Sequence, residues 1–136
     1  MSRCPITYLD CGNRRYSKQG LQLLSRNLHH DPDLPFTARE QIELAATFAD
    51  KLSIAGIQPK LSVRLNVPDH RFEAVERGGT YIIKPPHSFY PELPENEDLT
   101  MRLAAIAGIE VPFHGLIYGS DGSLSYLIKR FDKQKG

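Results

Sequence analysis

Residues 52–65 read LSIAGIQPKLSVRL, a small, hydroxylated, glycine-containing turn that runs straight into an alternating apolar stretch. Leu61, Val63, Leu65 and Val67 alternate with Ser62, Arg64 and Asn66, the period of two expected of a strand with one buried face. A glycine in the turn lets the backbone approach an anion closely and point its N–H groups at it. The stretch therefore predicts a pliable turn leading into a sheet, and the flanking sequence decides which sheet.

Downstream, RFEAVE (71–76) and YIIK (81–84) predict two more strands, separated by the turn signal Gly78-Gly79. The proline-rich PPHSFYPELP leads to ENEDLTMRLAAIAG (95–108), a predicted helix closed by Gly108 with Pro112 beyond it. HGLIYGS (114–120) and LSYLIKRF (124–131) flank Asp121-Gly122, the strongest short hairpin signal in the chain. From Ser53 onward the order is strand, strand, strand, helix, strand, strand. Upstream, YSKQGLQLLSRNL (16–28) predicts a short helix with Ser17 as cap and Leu21, Leu24 and Leu28 on one face, ended by Pro32 and Pro35. Thr37 and Glu40 form a capping box for a second helix, in which Ala45, Phe48, Ala49 and Leu52 share a face.

The predicted fold class is thus α+β: a twisted antiparallel sheet of about five strands with one helix after the third, preceded by short N-terminal helices. That is the layout of a protein kinase's small lobe. Residues 1–50 form the helical extension on this reading, and residues 51–136 the lobe, with the large lobe absent. Lys84, at the end of YIIK, is placed to meet nucleotide phosphates, and a carboxylate on the following helix is placed to hold it.

Composition narrows the function classes. With 136 residues and a net charge of +1, the chain suits one soluble domain and offers no general attraction for nucleic acid or anionic lipid. No apolar run approaches the roughly 20 residues that cross a bilayer, and MSRCPITYLDCG lacks the core of a secretion signal, so a cytoplasmic location is expected. Cys4 and Cys11 do not make a four-ligand zinc pattern, and two reduced thiols are expected. His29 and His30 fall in a polar connection, while His70, His87 and His114 stand apart from any nucleophile or ligand at a recognisable spacing. No metal site is expected.

SIAGIQPKLSVRL, YIIKPP, ENEDLTMRLAAIAGIEVP and LIKRFDK, in that order and spacing, resemble the HipA family of bacterial serine/threonine kinase toxins. YSKQGLQLLS near the start is similar to the shorter HipT branch. The resemblance implies an ATP site in which Ser53, Ile54, Ala55 and Gly56 form the phosphate loop, with Gln58 and Lys60 as its Gln-x-Lys. It makes Ser53 the autophosphorylated serine. A phosphate there adds about −1.5 to −2 charges, enough to repel nucleotide phosphates or reorder the loop. Ala55 occupies the place of a second serine in the related pattern and cannot accept phosphate.

The resemblance also makes Lys84 the ATP-contacting lysine. The family's Asn-Glu pair falls on Asn96-Glu97 and nominates Glu97 as its partner, whereas helical periodicity puts Glu95 on the stripe of Leu99, Arg102 and Ile106. Glu97 is the expected partner. The backbone of Lys129 and Phe131 would bind adenine. The catalytic aspartate and the metal-binding residues of a kinase belong to the large lobe, and no such element follows LIKRFDK. The remaining aspartates, Asp98 among them, read as caps, turns or solvated charge.

No catalytic residue is therefore expected in this chain, which would be inactive without its large lobe whether it is a fragment, a split gene product or a remnant. Mg2+ is expected only when that lobe is present. Implied partners are the large lobe, a HipB-like or HipS-like antitoxin and an aminoacyl-tRNA synthetase as substrate, with no direct contact to nucleic acid or membrane. Two alternatives stand beside this one: a non-catalytic, antitoxin-like subunit that binds a kinase, and an unrelated small-molecule-binding α+β domain.

Overall fold

A computed structural model describes residues 2–48, 59–87 and 91–130. The elements follow in the order β1 (Ser2–Arg3), β2 (Asp10–Gly12), α1 (Lys18–Leu24), α2 (Ala38–Phe48), β3 (Leu61–Asn66), β4 (Arg71–Ala74), β5 (Tyr81–Lys84), α3 (Leu93–Ile106), β6 (His114–Tyr118) and β7 (Leu124–Lys129). Strands β3 to β7 form one five-stranded antiparallel sheet in the order β4-β3-β5-β7-β6. The helix between the third and fourth of these strands completes the α+β, kinase-like small-lobe arrangement expected from the sequence.

Local chemistry fixes the elements where the sequence placed them. Ser17 Oγ accepts the Gly20 amide at 3.0 Å, the side-chain cap of α1. Thr37 and Glu40 exchange bonds at the start of α2, Thr37 N–H to Glu40 Oε1 at 2.9 Å and Glu40 N–H to Thr37 Oγ1 at 3.0 Å. Gly79 packs so closely on β3 that an added Cβ would lie 2.7 Å from the Val63 carbonyl oxygen, so only glycine fits there. At the β6–β7 hairpin Gly122 has φ +82°, but the connection is the five-residue loop 119–123 rather than a two-residue turn. Asp121 explains the width: its carboxylate accepts the Ala38 amide at 3.2 Å and the Ser123 hydroxyl at 2.6 Å, tying the tip to the start of α2.

The period of two then divides the sheet into two unlike faces. Leu61, Val63, Phe72, Tyr81, Ile83, Ile117 and Leu127 point to one side and join Leu21, Leu24, Leu28 and Leu34 in a single apolar cluster. Cys4, Ile6 and residues 16–48 thus cover this face of the sheet, and one core runs through both parts of the chain. Gln41 lies fully buried in that layer, one turn before Ala45, with its Oε1 accepting the Ser125 hydroxyl at 2.8 Å. The opposite face carries Ile82, Lys84, His114, Leu116, Tyr126 and Ile128, and α3 packs against it.

Three features depart from the sequence reading. The hairpin β1–β2 joins Ser2 to Gly12 and Arg3 to Asp10, strands too short to leave a periodic signal. Helix α3 begins at Leu93, two residues early, because Pro94 in the first turn needs no amide donor. The stripe of Glu95, Leu99, Arg102 and Ile106 does not act as one face of α3: Leu99 is 51% and Ile106 81% exposed, while Glu95 Oε1 is buried and Arg102 is half-buried. The sheet under this helix offers Lys84 and His114, so the polar side of α3 turns inward. Of the second helix's predicted face, Ala45 is buried and Phe48 partly so; Ala49 and Leu52 lie outside the described residues.

Candidate functional site

Lys84 ends β5, and its Nζ lies 3.0 Å from Glu97 Oε2 on α3. The two side chains are 28% and 26% exposed, so water still screens the pair and its contribution to stability is small. Its structural effect is to fix the ammonium where strand and helix converge. Lys84, Asn96, Glu97, Thr100, Met101, Tyr126 and Ile128 line an open cleft of about 300 Å³ at that point. Glu95 does not share in the pair; its Oε1 is buried with no hydrogen-bond partner among the described residues.

Tyr126 forms the back of the cleft. It pairs with Lys84 across the β5–β7 ladder, and the Lys84 ammonium stands 6.0 Å from its ring centroid. Its hydroxyl is buried and has no partner among the described residues. Burial pushes this phenol's pKa far up, and the charges of Glu97 and Asp98 push it further, so it remains a proton donor at any physiological pH.

The other expected site residues take the following places. Continuing the Leu61–Ile83 register by one residue sets Lys60 across from Lys84, and Lys60 is exposed. Lys129 pairs with Tyr81, three residues along β5 from Lys84, or about 10 Å at strand spacing. Its amide donates to Phe113 O at 2.9 Å. Ser53, Ile54, Ala55, Gly56, Gln58 and Phe131 lie outside the described residues.

Asp98 corrects the sequence reading. Far from being a solvated charge, its carboxylate is completely buried and accepts from Tyr8 Oη at 2.7 Å and Arg102 Nε at 2.8 Å, with His114 Nδ1 at 2.7 Å. A buried carboxylate without partners costs several kcal/mol, so these three bonds are what make the position tolerable. His114, which stands alone in the sequence, is thereby joined to α3. Arg102 completes the cluster: it also donates to Ile6 O, and its guanidinium lies 3.8 Å over the Tyr8 ring. Burial lowers the Arg102 pKa, but the Asp98 hydrogen bond and charge outweigh it and leave the group raised. Tyr8 is raised as well, by burial first and then by its bond to Asp98. Only the Asp98–Arg102 spacing of four was legible beforehand; Tyr8 and His114 come from distant elements.

Elsewhere, the His30 and His70 rings meet at a tilt of 47° with centroids 4.3 Å apart beside a surface hollow. Cys4 is buried and free, and Cys11 is free. Among the described residues no helix is long and apolar enough to cross a membrane.

Residues 52–135 match the family model described as HipA-like C-terminal domain. A Haemophilus influenzae protein named "Putative kinase" is 39% identical over 124 residues, covering 88% of this chain and 36% of that protein. The Shewanella oneidensis serine/threonine-protein kinase toxin HipA is 34% identical over 85 residues, covering 62% of this chain and 19% of that protein. The chain therefore spans about a third of the length of the first relative and about a fifth of the second.

Proposed function

The chain belongs to the HipA-like C-terminal domain family, and from that membership we propose that it is the nucleotide-binding small lobe of a HipA-type serine/threonine protein kinase toxin. The observation that carries the proposal is the Lys84–Glu97 pair, a strand lysine held by a helix carboxylate at the mouth of a cleft. In phosphoryl transfer such a lysine binds the α- and β-phosphates, and the carboxylate keeps it aimed at them. Lys60, across the ladder from Lys84, adds a second ammonium at the same end of the sheet.

The donor set suits ATP. The Lys84 ammonium lies at one end of β5, and Lys129 stands about 10 Å away at the other, a span that would separate a phosphate tail from an adenine ring. With its amide engaged by Phe113, Lys129 would accept from the adenine amine through its carbonyl oxygen, next to Phe131. ATP would supply the phosphoryl group; this chain's residues bind and orient it. The phosphate loop at Ser53 to Gly56, with Gln58, would cover the tail, and phosphate on Ser53 would repel it. Magnesium and the catalytic aspartate would come with a large lobe. A HipB-like or HipS-like antitoxin, and an aminoacyl-tRNA synthetase as substrate, complete the proposal, as does a place in the HipT branch on the strength of residues 16–25.

The test is a titration of the chain with a fluorescent ATP analogue. Saturable binding that Lys84→Met weakens at least tenfold supports the proposal, since the lost contacts are charge-assisted bonds worth about 1.5–3 kcal/mol. Equal binding by wild type and Lys84→Met refutes it. A chain that ignores nucleotide but captures a separate kinase large lobe would establish the antitoxin-like alternative instead.

A further inference from the structure

The cluster around Asp98 has more partners than helix packing requires, and it sits one residue from Glu97. Its route through the fold is unusual. Strand β6 is an edge of the sheet, and the Leu116 amide on that edge donates to Pro5 O at 3.2 Å. The segment 4–8 therefore passes around the edge. Ile6 packs with the apolar face of the sheet, against Gly115, while Tyr8 reaches the opposite face and α3.

Tyr8 reaches it at a conformational cost. Its φ is +66°, the left-handed region that a bulky residue rarely adopts. Such a backbone persists only where its surroundings over-determine it. Here they do so twice at the side chain, through the Asp98 bond and the Arg102 guanidinium over the ring, and once at the backbone, where the Tyr8 amide donates to Cys4 O at 2.7 Å. The large aliphatic residues Leu99, Leu103 and Ile106 of α3 cannot do this work, since they point to solvent. What sets the rotation of the helix on the sheet is polar: Asp98 and Arg102 on one side, Glu97 on the other.

We propose that the turn Ile6–Tyr8 is a brace for α3, and that Asp98 and Arg102 are positioning residues that hold the helix at the rotation where Glu97 meets Lys84. The proposal deepens the nucleotide reading and rests on it for its consequence, weaker ATP binding when the brace is cut. The brace itself is independent of nucleotide. Loss of the Tyr8 or Asp98 contact lets α3 rotate or lift, and the Lys84 ammonium loses its partner more of the time.

The test uses the 136-residue chain, Tyr8→Phe, Asp98→Asn and, as a control on the other face of the sheet, Ser125→Ala, which removes the buried bond to Gln41. Each protein is labelled with limiting acetic anhydride, and Lys84 acylation is compared with that of the other lysines by mass spectrometry. Nucleotide affinity and thermal midpoint are measured in parallel. We expect Tyr8→Phe to raise relative Lys84 labelling about fivefold, the scale of one lost hydrogen bond, and to weaken ATP-analogue binding similarly. Ser125→Ala should lower the midpoint and leave Lys84 labelling unchanged. Tyr8→Phe removes a single oxygen from a 39% exposed side chain, so it keeps the test open even where Asp98→Asn fails to fold. Unchanged Lys84 labelling in Tyr8→Phe overturns the brace. The labelling shift in a chain that binds no nucleotide upholds the brace and overturns the nucleotide reading alone.

Discussion

The two faces of the sheet are held by different forces. Toward α1 and α2 the contact is mainly apolar, with Phe72 and Tyr81 edge to face at 6.0 Å and the leucines of α1 above them. Toward α3 the specific contacts are polar: Lys84 with Glu97, and His114 and Tyr8 with Asp98. Apolar burial is non-directional and tolerates small rotations, whereas a charged hydrogen bond fixes an angle. The first face therefore supplies stability, and the second supplies geometry. A site that must aim an ammonium belongs on the second.

Substitutions on the two faces should separate these roles. Phe72 is fully buried on the apolar face, and Phe72→Ala should cost about 3–5 kcal/mol in urea unfolding. At temperatures where the variant is folded, its relative Lys84 acylation should match wild type. Altered Lys84 reactivity there would show that the faces are not separable. Gly79 lies between them, at the turn that seats β5 on β3. Gly79→Ala should cost roughly 1–3 kcal/mol, because the new methyl group meets the Val63 backbone as well as the Ser62 hydroxyl, and the backbone has no rotamer by which to move away. A neutral outcome in the same unfolding assay would mean that the β4–β5 turn shifts freely.

The smallest effect is expected at the rim of the apolar layer. Burial raises the Asp121 pKa, but bonds from Ser123 and Ala38 outweigh it and leave the folded value below the ordinary one. A depressed carboxylate contributes stability in full above its unfolded pKa of about 4, and loses it as pH falls through the lower folded value. Protection factors at the start of α2, amide exchange referred to the intrinsic rate at each pH, should therefore fall at acid pH in the wild type. In Asp121→Asn that dependence should shrink, and an unchanged acid response would assign it elsewhere.

The apolar face was largely legible in the sequence, and the site face was not. Alternation in β3 and the leucine spacing in α1 each report a buried side, because burial imposes a period. The caps at Ser17 and Thr37 are legible for a similar reason: they satisfy amides within three residues. The orientation of α3 is different. Periodicity grouped Glu95 with Leu99, Arg102 and Ile106, but the partners that decided the matter, Lys84 and His114, lie on strands 13 and 16 residues from the carboxylates they bind. Tyr8 is 90 residues from Asp98, and no local pattern connects them. Glu97 was reached through the Asn96-Glu97 motif rather than through periodicity, which favoured Glu95.

The central claim is that Lys84 and Glu97 act as one unit in binding a nucleotide. A double-mutant cycle with Lys84→Met and Glu97→Gln, read in ATP-analogue affinity, tests it most directly. If the pair is one unit, each single substitution weakens binding, and the double variant binds no worse than the weaker single one. Additive losses, or affinity indifferent to Glu97, would contradict the claim.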